Sequence, residues 1–261
     1  MIKLHKIAVS AAMGAGEILR SFFKSNYVVK DKGFHNPVTT ADFEADTFLK
    51  EYLMSHTTDF GWLSEETVDS KDRLDKEFVW IVDPLDGTKE FIKGIPEFVV
   101  SIALIKNHEP ILGVIYNPIK DEIIQTTAHG KVLVNGQERM LCTEANLHDV
   151  TILNSRSETR MGLWDSWSNV FKGQIPMGSV AYKLALTGSG QNDFFASLRP
   201  KNEWDIAAAH AILKANGGIL KKNTGDVIIY NQPKTLIIPG MVGGNKILVE
   251  EFLMEYKRRA L

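Results

Sequence analysis

A single cysteine, Cys142, stands among the 261 residues of this chain. That excludes an internal disulfide and any cysteine-rich zinc site. The thiol reads as a packed one, since a nucleophilic cysteine needs a base beside it. An excess of one charge is also lacking: 30 lysines and arginines face 32 acids, a net −2. No global field therefore draws in nucleic acid or an anionic membrane, and neither is an expected partner. An anionic ligand must be held by a local device, such as a metal cluster or a helix N-terminus. No apolar run reaches the ~18 residues of a membrane span; the mildly apolar stretch 7–16 is broken by Glu17 and Arg20. The opening residues show no targeting pattern, and a cytoplasmic location is the expectation. Internal repeats and nucleotide-loop motifs are missing too. Gly14-Ala15-Gly16 lacks a third glycine and a preceding strand, so it reads as helix packing. Gly243-Gly244-Asn245-Lys246 has the wrong spacing for a P-loop. The seven histidines show no metal spacing, and His210 reads as lying on a helix face without chemistry.

What is present is an ordinary folded composition, 44% hydrophobic and 24% charged. Leu4, Ile7, Ala8, Ala11, Ala15, Ile18, Leu19 and Phe22 recur at helical steps and predict a first helix. Tyr27-Val28-Val29, between Asn26 and Gly33, is strand-like. A second helix is predicted from Thr40 to about Met54, then a short strand over 59–63. The continuous apolar run 78–82 predicts a strand buried on both faces, which Pro84 should end. Runs 98–105, 111–116, 123–127 and 131–134 predict a meander, with a turn at Asn135-Gly136. Beyond about 145 strands and helices alternate: strand 150–153, helix 159–171, helix 180–186 and strand 193–196 follow in turn. A helix over 204–215 is stopped by Asn216-Gly217-Gly218, and a last helix covers 246–259. The reading is an α+β half over 1–145, then an α/β half over 146–261.

The informative residues are acids that follow apolar strands. Asp83-Pro84-Leu85-Asp86-Gly87-Thr88 forces two carboxylates and the Leu85 carbonyl into one bend. Hard oxygens so gathered suit Mg²⁺ rather than zinc or copper; equally, Asp-Gly marks a turn in which Asp83 bonds local amides. Ser64-Glu65-Glu66 follows another short strand and reads either as part of the same site or as a solvated acidic loop. Asp205 opens the predicted helix 204–215, where a capping or dipole role would explain it as well.

Four segments then carry a resemblance. Trp80-Ile81-Val82-Asp83-Pro84-Leu85-Asp86-Gly87-Thr88-Lys89-Glu90-Phe91 resembles the first signature of the inositol monophosphatase superfamily. Trp204-Asp205-Ile206-Ala207-Ala208-Ala209-His210 resembles the second, with Ala209 where glycine is common. Leu63-Ser64-Glu65-Glu66 resembles the upstream acidic loop, and Asn36-Pro37-Val38-Thr39-Thr40-Ala41-Asp42 the N-terminal acidic segment. The resemblance implies a layered α-β-α-β-α sandwich and hydrolysis of a phosphate monoester, with two or three Mg²⁺ for which Mn²⁺ could substitute. It further implies that Glu65, Asp83 and the Leu85 carbonyl hold one ion and that Asp83, Asp86 and Asp205 hold a second. Asp42 with Glu65 would place a third ion or its waters, while Thr88 and Glu65 orient and deprotonate the attacking water. Lithium sensitivity would follow if Li⁺ replaced one Mg²⁺, and a homodimer is compatible with the resemblance.

Within the superfamily, Lys89-Glu90 and Asn202-Glu203-Trp204-Asp205 are more similar to the 3'(2'),5'-bisphosphate nucleotidases of the CysQ type. That points to adenosine 3',5'-bisphosphate as substrate and to sulfur metabolism. Inositol 1-phosphate or a broad range of sugar phosphates is the alternative, and a catalytically silent metal- or nucleotide-binding protein a third. Candidate substrate contacts are Gly87, Thr88, Lys89, Ser155, Arg156, Gly178, Ser179, Lys183, Arg199 and Asp205. Some have a plainer reading: a capping turn at 154–157, especially at Ser157, a solvated helix residue for Lys183, and local pairing for Lys89. For Gly178-Ser179 an anion is expected at the N-terminus of the helix that follows.

Overall fold

In the computed structural model, which describes residues 1–31, 37–127 and 129–259, the small residues of the first helix explain its position. Ala8, Ala11, Ala12 and Ala15 of α1 (Ile2–Phe22) are buried and let it lie close against α2 (Thr40–His56). A Cβ on Gly14 would come within 2.4 Å of the Phe48 ring, and one on Gly16 within 2.3 Å of Tyr116. The glycine pair is thus a packing device, as its sequence suggested. Between these helices β1 (Val29–Asp31) and β2 (Pro37–Thr39) pair antiparallel, slightly later than the predicted run 27–29. Gly33 and Asn36 lie outside the described residues.

Seven strands form the first sheet in chain order: β3 (Gly61–Ser64), β4 (Phe78–Asp86), β5 (Val99–Lys106), β6 (Glu109–Asn117), β7 (Glu122–Thr126), β8 (Val132–Val134) and β9 (Gln137–Glu138). Only β3 and β4 run parallel. Alternation along β4 shows why its apolar run is continuous. Trp80 and Val82 enter the core beneath α1 and α2, while Val79 and Ile81 enter a second core on the opposite face. Pro84 does not end this strand. It falls inside a register shift between Asp83 and Asp86, where the ladder is interrupted and no proline N–H is needed.

The first helical turn after this strand is α3 (Thr88–Ile92), and β10 (Thr151–Ser155) leads into the equally short α4 (Arg156–Arg160). The helix predicted over 159–171 is not formed. Gly162 turns at φ 74°, and a brief 3₁₀ segment at Asp165–Trp167 carries Trp167 into an aromatic cluster instead. Next come β11 (Gly173–Met177), α5 (Val180–Gly188), β12 (Phe194–Ser197), β13 (Lys201–Asn202), α6 (Ala207–Ala215), β14 (Ile219–Lys222), β15 (Leu236–Ile237), β16 (Met241–Gly244) and α7 (Lys246–Arg259). The second sheet has the order β11-β10-β12-β16-β14. Helices α5 and α6 fill the space between the sheets. On the outer face, Leu248, Val249 and Phe252 of α7 are buried in a cluster where the Trp167 and Phe252 rings stack at 4.7 Å. The succession is helix pair, sheet, helix pair, sheet, helix: the layered α-β-α-β-α sandwich. Among the described residues no helix is long and apolar enough to cross a membrane.

A close approach between layers of the sandwich lies under α6. A Cβ on Gly113 of β6 would fall 2.0 Å from the Ala208 carbonyl oxygen. Relief would have to come from shifting β6 or α6, and α6 begins two residues after Asp205. Gly113→Ala is expected to cost roughly 2–3 kcal/mol by overpacking, read as a lower urea midpoint at unchanged slope; an unaltered midpoint would contradict this packing.

Candidate metal centre

Parallel pairing of β3 and β4 sets the first two acids side by side. Ser64 is in register with Val82, so Glu65, just past the end of β3, comes beside Asp83 of β4, and the Glu65 N–H donates to the Val82 carbonyl at 3.3 Å. Asp46 of α2 holds this exit, accepting from the Ser64 hydroxyl and, at 2.6 Å, from the Thr67 hydroxyl. Asp83 Oδ1 accepts the Leu85 N–H at 3.0 Å, as the turn reading foresaw, but Oδ2 is buried without any hydrogen-bond partner. The third acid arrives from the other sheet's side. Asp205 is not inside α6: Ile206 occupies the helix cap, and Asp205 Oδ2 instead accepts the Asn202 N–H at 2.8 Å.

One carboxylate oxygen from each of Glu65, Asp83 and Asp205 lies within 4.8 Å of the others. Burial, then Glu65, Asp86 and Asp205 nearby, push the Asp83 carboxyl well above its usual range. Burial with Asp86 and Glu65 pushes Asp205 up to about 8. Three converging acids, of which Asp83 and Asp205 resist ionisation and Asp83 keeps an unpartnered buried oxygen, are a donor set suited to a hard divalent cation. The residues present therefore fit Mg²⁺.

Asp86 behaves differently. Its Oδ2 accepts from the Ser179 hydroxyl and the Ala181 N–H, both at 2.6 Å, so this carboxylate caps α5. The N-terminus expected to receive an anion already holds one of the chain's own. Burial raises the Asp86 carboxyl, and the Ser179 bond partly opposes this. Asp42 also stands outside the three-acid cluster. Its Oδ2 closes a capping box with Thr39, at 2.8 Å from the N–H and 2.6 Å from the hydroxyl, while Oδ1 lies 3.0 Å from the Thr88 hydroxyl. That hydroxyl is also 3.2 Å from the Leu85 carbonyl.

A cavity of about 230 Å³ opens over the acids and gathers most of the remaining candidates: Leu85, Gly87, Thr88, Lys89, Ser155, Arg156, Gly178, Ser179 and Lys183. Gly87 holds φ 107°, and a Cβ there would meet the Glu97 carbonyl at 2.7 Å. Several candidates are already engaged. Lys183 is buried rather than solvated, and its ammonium donates to the carbonyls of Met177, Gly178 and Ser179 at 3.0, 2.9 and 2.7 Å. Burial lowers it to about 8. Arg156 pairs with Glu90 at 2.9 Å and Glu97 at 2.6 Å, and the Gly178 N–H donates to Glu97 at 2.8 Å. Ser155, not Ser157, caps α4. Arg199 does not line this cavity but an adjoining one.

Sequence reasoning missed Lys201, which lines the cavity and lowers Asp205, and the Glu90–Glu97 pair that holds Arg156. Glu90 lay within a quoted motif, but no local pattern marks Glu97 or Lys201 as its neighbours. His210 is buried, with Nδ1 at 2.8 Å from the Tyr230 hydroxyl, and burial pushes it down to about 4. Burial likewise raises the half-buried Cys142 thiol.

The profile of the Inositol monophosphatase family matches residues 2–258. The chain is 33% identical over 216 residues to the 3'(2'),5'-bisphosphate nucleotidase CysQ of Escherichia coli K12, covering 81% of this chain and 87% of that protein. It is also 33% identical over 235 residues to inositol monophosphatase 3 of Solanum lycopersicum, covering 84% and 85%. Among solved structures it is similar to the extragenic suppressor protein suhB of Bartonella henselae, with TM-score 0.84 and 28% identity over 97% of both chains. The IMPase of Thermotoga maritima superposes with TM-score 0.86 at 25% identity, covering 99% of this chain and 98% of that one.

Proposed function

We propose, from the premise that this chain belongs to the inositol monophosphatase family, that it is a Mg²⁺-dependent phosphomonoesterase. Its substrate in this reading is adenosine 3',5'-bisphosphate, cleaved to AMP and phosphate. The observation that carries the phosphatase reading is the convergence of Glu65, Asp83 and Asp205 beneath a cavity whose wall also bears Thr88. Similarity to the CysQ nucleotidases over most of the chain supports the choice of substrate.

Glu65, Asp83 and Asp205 would hold Mg²⁺, with the Leu85 carbonyl and Asp86 alongside. Bound there, Mg²⁺ supplies polarisation of a phosphoryl oxygen, a water of lowered pKa and charge to meet the leaving oxygen. The chain's own part is positional. With its proton donated to Asp42, the Thr88 oxygen can accept from an attacking water and fix its direction; Asp42, tied to Thr39 through its other oxygen, holds that hydroxyl. Glu65 is the carboxylate placed to receive the water's proton. The Thr88 and Lys89 amides, which open α3, are placed to meet phosphate oxygens.

Inositol 1-phosphate is the second reading, favoured by the equal identity to the tomato inositol monophosphatase. A phosphate-release assay with Mg²⁺ on adenosine 3',5'-bisphosphate, inositol 1-phosphate and fructose 1,6-bisphosphate decides between them. The expected result is the highest kcat/KM on the nucleotide. A clear preference for inositol 1-phosphate would transfer the assignment, and nucleotide binding without any phosphate release would return the protein to a silent binding role.

A further inference from the structure

Positive charge around the inner cavity is largely spent on the protein itself. Arg156 is held by two glutamates, the Lys183 ammonium by three carbonyls, and the α5 N-terminus by Asp86. The cations that remain gather at its mouth. A second cavity, about 700 Å³, shares Lys89, Lys93 and Arg160 with the first and adds Arg199. None of these four exposed side chains has an ion pair among the described residues. Among the described residues the Arg199 guanidinium has one weak contact, 3.7 Å to the Met161 sulfur. In a chain of net −2, four cations lining one cavity, none ion-paired among the described residues, favour the arrival of an anion. Ile92 and Met161 add apolar wall to the same cavity, so the anion is expected to belong to a molecule with an apolar or aromatic body.

We infer that this outer groove receives the second phosphate of a doubly phosphorylated substrate, whose first phosphate lies over the acids. Lys93, Arg160 and Arg199 bind that second phosphate, and Lys89 stands where the two cavities meet. The inference rests on the phosphomonoesterase reading and adds the residues that set substrate preference. Because these contacts lie away from the scissile bond, they serve ground state and transition state alike and act through KM.

The test compares adenosine 3',5'-bisphosphate with adenosine 3'-monophosphate in the wild-type enzyme and in Lys93→Gln/Arg160→Gln. The wild type should favour the bisphosphate. In the variant the ratio of the two kcat/KM values should fall roughly thirtyfold, as expected for two charged contacts to phosphate. The change should lie in KM, with a shallower dependence of KM on salt. A ratio left as in the wild type, or a loss carried by kcat, would overturn the groove while leaving the phosphatase reading intact. Release of phosphate from neither substrate by the wild type would remove both. Arg199→Gln alone, expected to shift the ratio the same way by a smaller factor, guards against a folding defect in the double variant.

Discussion

Asp83→Asn is expected to reduce turnover by roughly a hundredfold or more, as befits loss of a carboxylate proposed to bind the metal, while raising the melting temperature of the metal-free protein. The two effects share one cause. Asp83 is buried and faces Glu65, Asp86 and Asp205, so its charge is costly unless a cation shares it. An asparagine can keep the bond from the Leu85 N–H and place an amide N–H where Oδ2 now stands without a partner. That amide could donate to a neighbouring carboxylate and relieve the repulsion. The checks are phosphate release and thermal melts with EDTA or Mg²⁺: the variant should melt higher in EDTA and gain little from Mg²⁺. A variant that is both active and stabilised by Mg²⁺ would contradict the assignment of Asp83 to the metal centre.

Removal of metal should matter more as pH rises. Carboxyl groups in the unfolded chain titrate near ~4, whereas Asp205 in the folded chain is pushed up to about 8. A raised acid contributes fully below the unfolded value, and that contribution is lost as pH climbs through the folded one. Glu203, raised to about 7 chiefly by burial, has the same sign. His210, lowered to about 4, has the opposite sense: its contribution is present above ~6.5 and lost as pH falls toward 4. The metal-free protein is therefore expected to be most stable near mildly acidic pH and to weaken between pH 6 and 8. Mg²⁺ favours the ionised acids and reverses the trend. At a hundredfold excess over Kd it adds ~2.7 kcal/mol, a rise of roughly 5–10 °C for a chain of this size, and the rise should be larger at pH 8 than at pH 6. Melting curves over that range with and without Mg²⁺ test this; an equal shift at every pH would detach these acids from metal binding.

Much of the fold was legible because hydrophobic periodicity is a local signal. α1, α2, α5, α7 and strands β3 to β8 of the first sheet lie where their patterns placed them to within a few residues, while the short β9 was not foreseen. The failures occurred where a long-range contact overrules local preference. Pro84 stays within a strand because the ladder is broken there by a shift that only the pairing with β5 reveals. The segment 159–171 has enough apolar residues for a helix, but Trp164 and Trp167 are drawn into the cluster beneath α7.

The site divides in the same way. Glu65, Asp83 and Asp205 belong to quoted motifs, and the structure brings their oxygens together. Which donors remain available could not be read from the chain. Lys183, Arg156 and Ser179 carried suitable chemistry for a phosphate, yet each is engaged by residues far away in sequence or by loop carbonyls. Conversely, Lys93 and Arg160 belonged to no motif and reach the same groove only through folding.

The separation of the acids along the chain bears on how the protein is made. Glu65 and Asp83 emerge early in translation, on neighbouring strands, whereas Asp205 leaves the ribosome only after much of the second sheet has been synthesised. A nascent first sheet would carry clustered negative charge without the carboxylate that completes the cage. If these acids hold Mg²⁺ as proposed, its capture would then come late, and the ion would lock a nearly finished polypeptide instead of nucleating its collapse.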